Sequence, residues 1–403
     1  MSDLYIQKNK KINGFLIGLF LSADMIIKSI SPIISFPNIL VIYYFLLVAL
    51  SLLVNRFRFN LKYLVAYMLI LTLFGFSFIR VDDISYTFQY FLYFNCFYLA
   101  SSALQFKIDI HKVFKTINFI NIFFAAYLLL FVFRQYNQGI LNVDSTMDLS
   151  YTSLIGVTSF LLTFYLKDYK KNKGFVLVNL AASLVELYFM VFISYNRGAL
   201  VGLLVAFVFL FIRKFKRKST RIFSSVTIFY GIYILYSNAI NILVFLHNYL
   251  SSRGIQSNFI NKTLMSFSLN TFDSGRGPLY SDAINLFNKS PIFGNGIGHF
   301  SSTHNGQYPH NLVLETLSDQ GLLIAGVIVI FCIVCVFKFL LATQSDLLTL
   351  SFLLFSIAIP RLFMSSTIWM SPFFWSLVVI FITRPALKKH TSNKKQTLEM
   401  VSS

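Results

Sequence analysis

The chain has 403 residues, of which 56% are hydrophobic, 18% aromatic and only 12% charged, and its mean hydropathy is +0.69. Soluble domains carry about a quarter charged residues, so this composition excludes an ordinary soluble protein and indicates a chain surrounded largely by lipid. Lys and Arg exceed Asp and Glu by 19, and in a membrane protein such an excess is first a topology signal rather than evidence for a nucleic-acid partner.

Apolar runs of membrane-spanning length follow one another along the chain, separated by short polar segments. A helix needs about 20 mainly apolar residues to cross the hydrocarbon. We therefore predict an all-α, polytopic membrane bundle of about twelve transmembrane helices, at 13–31, 36–55, 63–80, 86–104, 116–134, 151–166, 174–194, 198–212, 222–243, 318–337, 347–364 and 369–383. Basic residues precede the first run and no small-residue cleavage site follows it, which favours an uncleaved first span.

The runs divide the chain into four parts. We predict about nine transmembrane helices in 1–246, a long loop with short amphipathic helices in 247–311, about three transmembrane helices in 312–383 and a basic tail in 384–403. The three cysteines, at positions 96, 332 and 335, lie in apolar runs. Neither a disulfide framework nor a metal site is expected, and we predict no cofactor.

The cations fall mainly into alternate loops. When these loops are assigned to the two sides of the membrane, one side holds 25 of the 34 Lys and Arg residues. Cations cross poorly during insertion, so this bias predicts that the side is cytoplasmic, with both termini inside. Most of the net charge then serves orientation.

The nine remaining cations include six arginines. Arg binds phosphate or carboxylate bidentately, so this enrichment favours an anion held on the outer side. Four of these arginines fall near the outer ends of different spans, namely Arg80, Arg134, Arg197 and Arg361. The alternative for each is a side chain that extends to the outer headgroups.

The long outer segment runs from His247 to Asn311. Long loops without secondary structure of their own are usually functional. Within it, GRGPLYSDAINLFNKSP predicts a short amphipathic helix that ends at Ser290-Pro291, with Arg276 at its start. There Arg276 and the helix N-terminus would both face an anion, while a solvated loop charge is the alternative.

A glycine-rich stretch and a histidine follow this helix. IFGNGIGHF is not a dinucleotide fingerprint, since no strand precedes it; we expect its glycines to let the chain turn tightly against the membrane surface. His310 stands where the loop re-enters the bundle. A histidine there titrates near neutral pH, which makes it a candidate proton acceptor.

Two stretches resemble the superfamily of O-antigen polymerases (Wzy) and O-antigen ligases. They are FISYNRGALVGLLVAF and the set GRGPLYSDAINLF, SPIFGNGIGHF and PHNLVLETLSDQGLL, which together cover roughly residues 190–335. The resemblance implies a helical bundle similar to the C-type lipid-linked glycosyltransferases, with an outer loop capping a site open to the periplasm. It also implies glycan transfer from undecaprenyl diphosphate without metal or nucleotide, in the bacterial inner membrane.

The resemblance also assigns roles to individual residues. Arg197 in YNRGAL and Arg276 in GRGPLY match the family's diphosphate-binding arginines, and His310 in PHN matches its catalytic base. Two departures loosen the match: Ser194 stands three residues before the arginine instead of two, and Tyr280 replaces the frequent Trp. Arg361, Arg80 and Arg134 are further candidates for binding the substrate.

Polymerase and ligase differ in the acceptor, which is another lipid-linked repeat unit or lipid A-core. The high content of Phe, Tyr, Ile and Asn favours the polymerase by resemblance to polymerases encoded with surface-polysaccharide genes. The expected partners are the lipid-linked oligosaccharide, the bilayer and a chain-length regulator protein, and no nucleic acid. Outer segments near 135–150 and 252–275 are candidates for reading the glycan. A secondary transporter is the alternative of another class, although the halves show neither an internal repeat nor paired Gly/Pro-broken spans.

Overall fold

The computed structural model describes residues 2–32, 39–166, 173–215, 217–268, 275–342 and 345–384, and within these ranges it contains helices and turns but no strand. The predicted basic tail lies outside the described residues, except for Arg384. The α-helices are α1 (Ser2–Leu21), α2 (Ala23–Ile30), α3 (Ile39–Val54), α4 (Leu61–Arg80), α5 (Ser85–Ala100), α6 (Ile110–Tyr127), α7 (Phe133–Asn137), α8 (Val143–Tyr165), α9 (Lys173–Tyr188), α10 (Arg197–Arg213), α11 (Lys218–Ser237), α12 (Ala239–Ser251), α13 (Asn258–Ser268), α14 (Gly277–Lys289), α15 (His299–Thr303), α16 (Leu312–Leu341), α17 (Asp346–Met364) and α18 (Pro372–Thr383).

The helical fold of a polytopic membrane protein is confirmed. Among the described residues, six helices are long and apolar enough to cross a membrane, or up to eight if each bent pair counts as one span. The six are Leu61–Arg80, Ile110–Asn137, Ser145–Tyr165, Lys173–Ile193, Leu312–Leu341 and Asp346–Met364. Each of the twelve predicted spans overlaps a helix, but four of these helices are short: α3 and α5 have 16 residues, α10 has 17 and α18 has 12. The count of twelve therefore stays a prediction.

Two helix pairs are bent where the sequence predicts continuous spans. The segments Gln7–Leu21 and Ala23–Ile30 meet at 58°, and Ser219–Ser237 and Ala239–Ser251 meet at 65°. At the first bend the Ser22 hydroxyl donates to the Gly18 carbonyl at 2.6 Å, a contact typical of bent helices. Neither bend lies at Gly or Pro, so Gly/Pro interruptions in the sequence do not mark them. The first bend separates α2, which carries Asp24 and Lys28, from α1.

Helix α17 forms the centre of the bundle and packs against α8, α10, α16 and α18. Its contact with α10 is close because Gly198 and Gly202 form a GxxxG pair, a pattern that lets two helix backbones approach. A Cβ at Gly202 would lie 2.8 Å from the Ser356 carbonyl of α17. This packing places the start of α10, with Arg197, beside the end of α17.

The predicted amphipathic helix of the outer segment is confirmed as α14. Arg276 is its N-cap residue, Pro278 lies in its first turn and Ser290 is its C-cap residue. Ala283 and Leu286 pack with Phe300 in a small core separate from that of the bundle. The outer segment is thus a folded cap made of α13, α14 and α15 rather than an open loop.

The three alternate glycines turn the chain tightly, and the turn lies against helices of the bundle; its position at the membrane surface stays a prediction. Gly294, Gly296 and Gly298 have φ of 69°, 112° and 83°, in the left-handed region that favours glycine. A Cβ at Gly294 would lie 2.4 Å from the Asp319 carbonyl in α16. Gly321 interrupts α16 with φ 74°, and the Gly296 N–H donates to the Asp319 carbonyl at 2.7 Å. The glycine stretch therefore binds carbonyls that the break in α16 exposes.

Candidate active site

Arg197 is the first residue of α10, and the residues around it fix its position. The side chain of Asn196 caps the helix by accepting hydrogen bonds from the N–H groups of Gly198 and Ala199, at 2.8 and 3.3 Å. Its amide nitrogen also donates to the Met147 carbonyl of α8 at 2.9 Å. Arg197 is thereby held at the positive end of the α10 dipole, where an anion is favoured.

The outer cap is tied to the same place by α13. A π-helical turn, Phe189–Ile193, follows α9 and exposes backbone carbonyls. Ser257 donates to the Val191 carbonyl at 2.6 Å, and Asn258 donates to the Ile193 carbonyl at 2.8 Å. These bonds fix the start of α13, and Lys262 follows one turn later.

Arg276 is held between α14 and α17. Its Nη1 donates to the backbone carbonyl of Met364 at 2.6 Å, at the C-terminal end of α17. The negative end of that helix dipole stabilises a cation. A loop arginine and the end of the central helix are thus fixed to each other.

Arg197, Lys262 and Arg276 line one cavity of about 540 Å³, which we call the Arg197 cavity. No Asp or Glu occurs among the described residues that line it. Its walls also include Leu200, Val201 and Leu204, which follow Arg197 by three, four and seven positions and so form a stripe along one face of α10. Val201 and Leu204 are 39% and 46% exposed, so this stripe reaches the surface of the bundle.

His310 stands immediately before α16, whose N-cap residue Asn311 accepts hydrogen bonds from the Val313 and Leu314 N–H groups. The backbone of His310 is left-handed, with φ 53°, a conformation that is uncommon for residues other than glycine and that concentrates at functional sites. Burial, followed by the nearby charge of Arg276, lowers the pKa of His310 to about 4. The imidazole is therefore neutral at pH 7 and able to accept a proton.

His310 has one ring nitrogen directed into the protein. Its Nδ1 is buried and has no hydrogen-bond partner among the described residues. Its ring lies against Tyr308, with 4.1 Å between the ring centroids. Burial raises the pKa of Tyr308 to about 12, so the phenol stays protonated at neutral pH.

Ser365 connects three parts of the site. Its carbonyl accepts a hydrogen bond from the Tyr308 hydroxyl at 2.8 Å, and its own hydroxyl donates to the Tyr151 hydroxyl oxygen at 2.7 Å. Tyr151 in turn lies 2.0 Å from the position that a Cβ of Gly198 would occupy. The start of α10, the middle of the bundle and the loop before α16 are thus joined at Ser365.

A second cavity, of about 380 Å³, lies on the other side of Ser365, and we call it the Arg361 cavity. Arg361 pairs with Asp148 at 3.3 Å and with Asp24 at 3.8 Å. Lys28 pairs with Asp148 at 2.6 Å. Ser365 lines both cavities. Asp24 and Lys28 stand four positions apart, a spacing that allows a pair within one helix, whereas the observed contacts join α2 to α8 and α17.

The structure distributes the six predicted site residues over four places. Arg197 and Arg276 share a cavity, His310 stands near Arg276, and Arg361 lines the adjacent cavity. Arg80 contacts the glycine stretch, donating to Ser290 Oγ and to the Gly294 carbonyl. Arg134 is exposed in α7 and is absent from the described lining of both cavities. The roles of all six stay predictions.

Sequence reasoning did not select several residues of the site. Lys262 was one of the nine outer cations, and no local signal distinguished it from Arg253 or Lys289. Tyr151 lies in a long apolar helix where its hydroxyl gives no pattern. Asp148 falls within the segment 135–150 that we expected to read the glycan, although its position is in α8 rather than in a loop.

Residues 180–330 match a family model whose description is O-antigen ligase. The match covers less than half of the chain, and over this segment the chain is similar to the O-antigen polymerase and ligase superfamily. The superfamily consists of glycosyltransferase-like enzymes, and its activity is of the O-antigen polymerase or ligase type. The apolar helices and this family together indicate a membrane protein. No curated protein and no solved structure matches the chain.

The segment that matches the family model covers only part of the site. Arg197, Lys262, Arg276 and His310 lie within residues 180–330. The charged residues that line the Arg361 cavity lie outside that range. Of the residues that line the Arg361 cavity, Tyr308 lies within the matched range, whereas the charged residues come from segments that the family model does not cover.

Proposed function

We propose that this protein is an O-antigen polymerase that uses undecaprenyl diphosphate-linked glycans as donors. It transfers the growing glycan to a sugar hydroxyl of another lipid-linked repeat unit. The Arg197 cavity carries this proposal, because it combines three cations with an apolar stripe that reaches the surface of the bundle. A lipid diphosphate has the matching shape, an anionic head attached to a long apolar chain.

The three cations supply electrostatic stabilisation of the leaving group. As the bond between the anomeric carbon and the phosphate oxygen breaks, negative charge accumulates on the diphosphate. Arg197 and Arg276 neutralise that charge with fixed guanidinium groups, and Lys262 adds a third positive charge. Since protein cations supply the neutralisation, the transfer is metal-independent and needs no cofactor.

His310 acts as the general base. Its neutral imidazole accepts the proton of the acceptor hydroxyl while that oxygen attacks the anomeric carbon and the diphosphate departs from the opposite face. A single displacement of this kind inverts the anomeric configuration. The low pKa of about 4 keeps the base unprotonated before substrate binds, and bound diphosphate offsets the charge of Arg276 and makes His310 more basic.

The orientation follows from the cations. Lys11, Lys112 and Lys115, all assigned to the cytoplasmic side, line one basic cavity together. Arg197, Arg276 and Arg361, assigned to the opposite side, surround the candidate site. We propose that the site faces the periplasm, in the inner membrane, with both termini in the cytoplasm. A chain-length regulator protein is the partner expected at this face.

A ligase is the second candidate, because the matching family model is described as O-antigen ligase. A deletion strain separates the two functions. Loss of a polymerase leaves lipid A-core capped with a single repeat unit, whereas loss of a ligase leaves bare core and long chains on the lipid carrier. For the polymerase we expect the deletion strain to show single-repeat caps. The wild-type gene should restore full chains, and the His310→Ala variant should not.

A further inference from the structure

The diphosphate site proposed above leaves the Arg361 cavity without an assigned ligand. It opens beside the Arg197 cavity, with Ser365 in the wall between them. Its volume of about 380 Å³ lies within the range of pockets that bind small molecules. The groups that line it indicate which ligand it fits.

Its charges are balanced, unlike those of the Arg197 cavity. Two carboxylates, Asp24 and Asp148, face two cations, Lys28 and Arg361. Bound anions gain little where carboxylates already neutralise the cations. Such a set instead offers hydrogen-bond acceptors and donors side by side, and every sugar hydroxyl is both a donor and an acceptor.

The carboxylate of Asp148 is held in a fixed orientation. Lys28 contacts one of its oxygens at 2.6 Å and Arg361 contacts the other at 3.3 Å. Lys28 also donates to the Thr152 hydroxyl at 2.7 Å. The Asp148 side chain is nonetheless 49% exposed, so its lone pairs remain accessible from the cavity. A rigid, ionised and accessible acceptor is suited to binding neutral hydroxyl groups.

The remaining walls are aromatic. Tyr44, Tyr93, Phe97 and Tyr308 line the cavity. The C–H face of a pyranose ring is apolar and packs against aromatic rings, while its hydroxyls project from the rim towards polar groups. Aromatic walls around a fixed set of carboxylates and cations therefore match a sugar better than a lipid chain or a free anion.

We propose that the Arg361 cavity is the subsite for the acceptor, and that it binds a neutral sugar residue of the acceptor glycan through Asp148 and Tyr93. This inference rests on the proposed function, since it assigns the second substrate of the same reaction. Tyr308 lines the cavity and its ring contacts His310. A hydroxyl of the bound sugar that reaches past Tyr308 meets the base, and beyond it the donor held near Arg276.

The test separates the two cavities by using two soluble probes on the full-length protein in nanodiscs. The first is the free repeat-unit oligosaccharide, released by mild acid from the lipid-linked pool of the native host, and it contains no phosphate. The second is inorganic pyrophosphate. Binding of the first is followed by intrinsic fluorescence, because Trp369, one of two tryptophans, stands between the lining residues Thr367 and Met370. Binding of each probe is also measured by calorimetry.

Asp148→Asn and Tyr93→Leu are the test variants. Each is expected to weaken oligosaccharide binding on the order of tenfold or more and to leave pyrophosphate binding unchanged. Asp282→Asn and Tyr233→Leu are matched controls, because Asp282 pairs with His304 outside the cavity and Tyr233 is 65% exposed on α11. Arg276→Gln is expected to show the opposite pattern, with pyrophosphate binding lost and oligosaccharide binding kept.

The proposal is overturned if the wild-type protein does not bind the oligosaccharide, or if both test variants bind it as the controls do. Retained pyrophosphate binding verifies that a variant is folded, and Tyr93→Leu decides the question if Asp148→Asn fails that check. Failure of the proposed function gives a different result, in which the wild-type protein does not bind pyrophosphate.

Discussion

The Tyr308 hydroxyl donates to the backbone carbonyl of Ser365 at 2.8 Å. This bond joins the chain just before His310 to the residue that follows α17. Because Ser365 lines both cavities, the bond lies at the boundary between them. The outer cap and the central helix thus meet where, in our account, donor and acceptor meet.

Arg197→Lys should impair the enzyme strongly although it keeps the charge. Lys cannot form the two parallel hydrogen bonds that a guanidinium makes with a phosphate. Loss of one charge-assisted bond corresponds to about 1.5–3 kcal/mol, or roughly a ten- to hundredfold fall in kcat/KM. The measurement is the rate of chain extension on lipid-linked repeat units.

Arg253→Lys is the matched control for this substitution. Arg253 is another outer arginine, but it lies over the ring of Tyr249 and is absent from the described lining of the Arg197 cavity. Its variant should retain kcat/KM within about twofold, as surface substitutions usually do. Equal losses in the two variants would show that outer charge in general, rather than a specific site, supports activity.

The pH profile should report the low pKa of His310. A general base works only when deprotonated, so activity is lost as the pH falls through its pKa. With a pKa of about 4 in the free enzyme, kcat/KM should stay flat as the pH falls from about 8 to 5, and decline below that. In the substrate complex the diphosphate offsets the charge of Arg276, so the limb of kcat should appear at a higher pH.

Two controls accompany the profile. The residual activity of His310→Ala should lack the acidic limb, and wild-type enzyme returned from pH 4 to pH 7 should recover fully, which excludes acid unfolding. Arg276→Gln should move the limb of kcat/KM upward, since one cause of the low pKa is removed. If the acidic limb of kcat/KM persists in His310→Ala, another group causes that limb.

The sequence predicted the helical class, the position of α14 and the three motif residues that stand near one another. Each of these rests on a local signal: apolar runs, a helical period, or a short motif. The Arg361 cavity rests on contacts between α2, α8 and α17, so spacing along the chain could not indicate it. Asp24 and Lys28 show why: their spacing of four residues allows them to pair with each other within one helix. In the folded chain Asp24 pairs with Arg361 and Lys28 pairs with Asp148 instead.

Gly198→Ala should reduce activity through Tyr151. The added Cβ would lie 2.0 Å from the Tyr151 hydroxyl, so the ring must move and its bond with Ser365 breaks. Overpacking of this kind costs about 1–3 kcal/mol of stability. The temperature of thermal unfolding and kcat should both fall. Gly231→Ala in α11 is the control, because nothing lies within 4 Å of its Cβ position; a loss of equal size there would point to general damage to helix packing.

Arg80→Ala and Arg134→Ala should differ in their effects on the stability of the outer cap and on kcat. Arg80 contacts Ser290 and Gly294, so its loss should make the outer cap easier to cleave by protease and should lower kcat with little change in KM. Arg134 is exposed, so its variant should retain kcat and KM within about twofold of the wild-type values. The readouts are limited proteolysis and steady-state kinetics. A large rise in KM for either variant would instead place that arginine on the substrate.

The most direct measurement uses purified protein in nanodiscs with lipid-linked repeat units as the sole substrate. Released undecaprenyl diphosphate and new glycosidic bonds are counted in the same reaction. We expect equal amounts of the two, formed without added nucleotide and reduced by a factor of about 10² to 10⁴ in His310→Ala, a variant that remains folded and still binds pyrophosphate. Full activity of that folded variant, or chain extension without release of the lipid diphosphate, would contradict it.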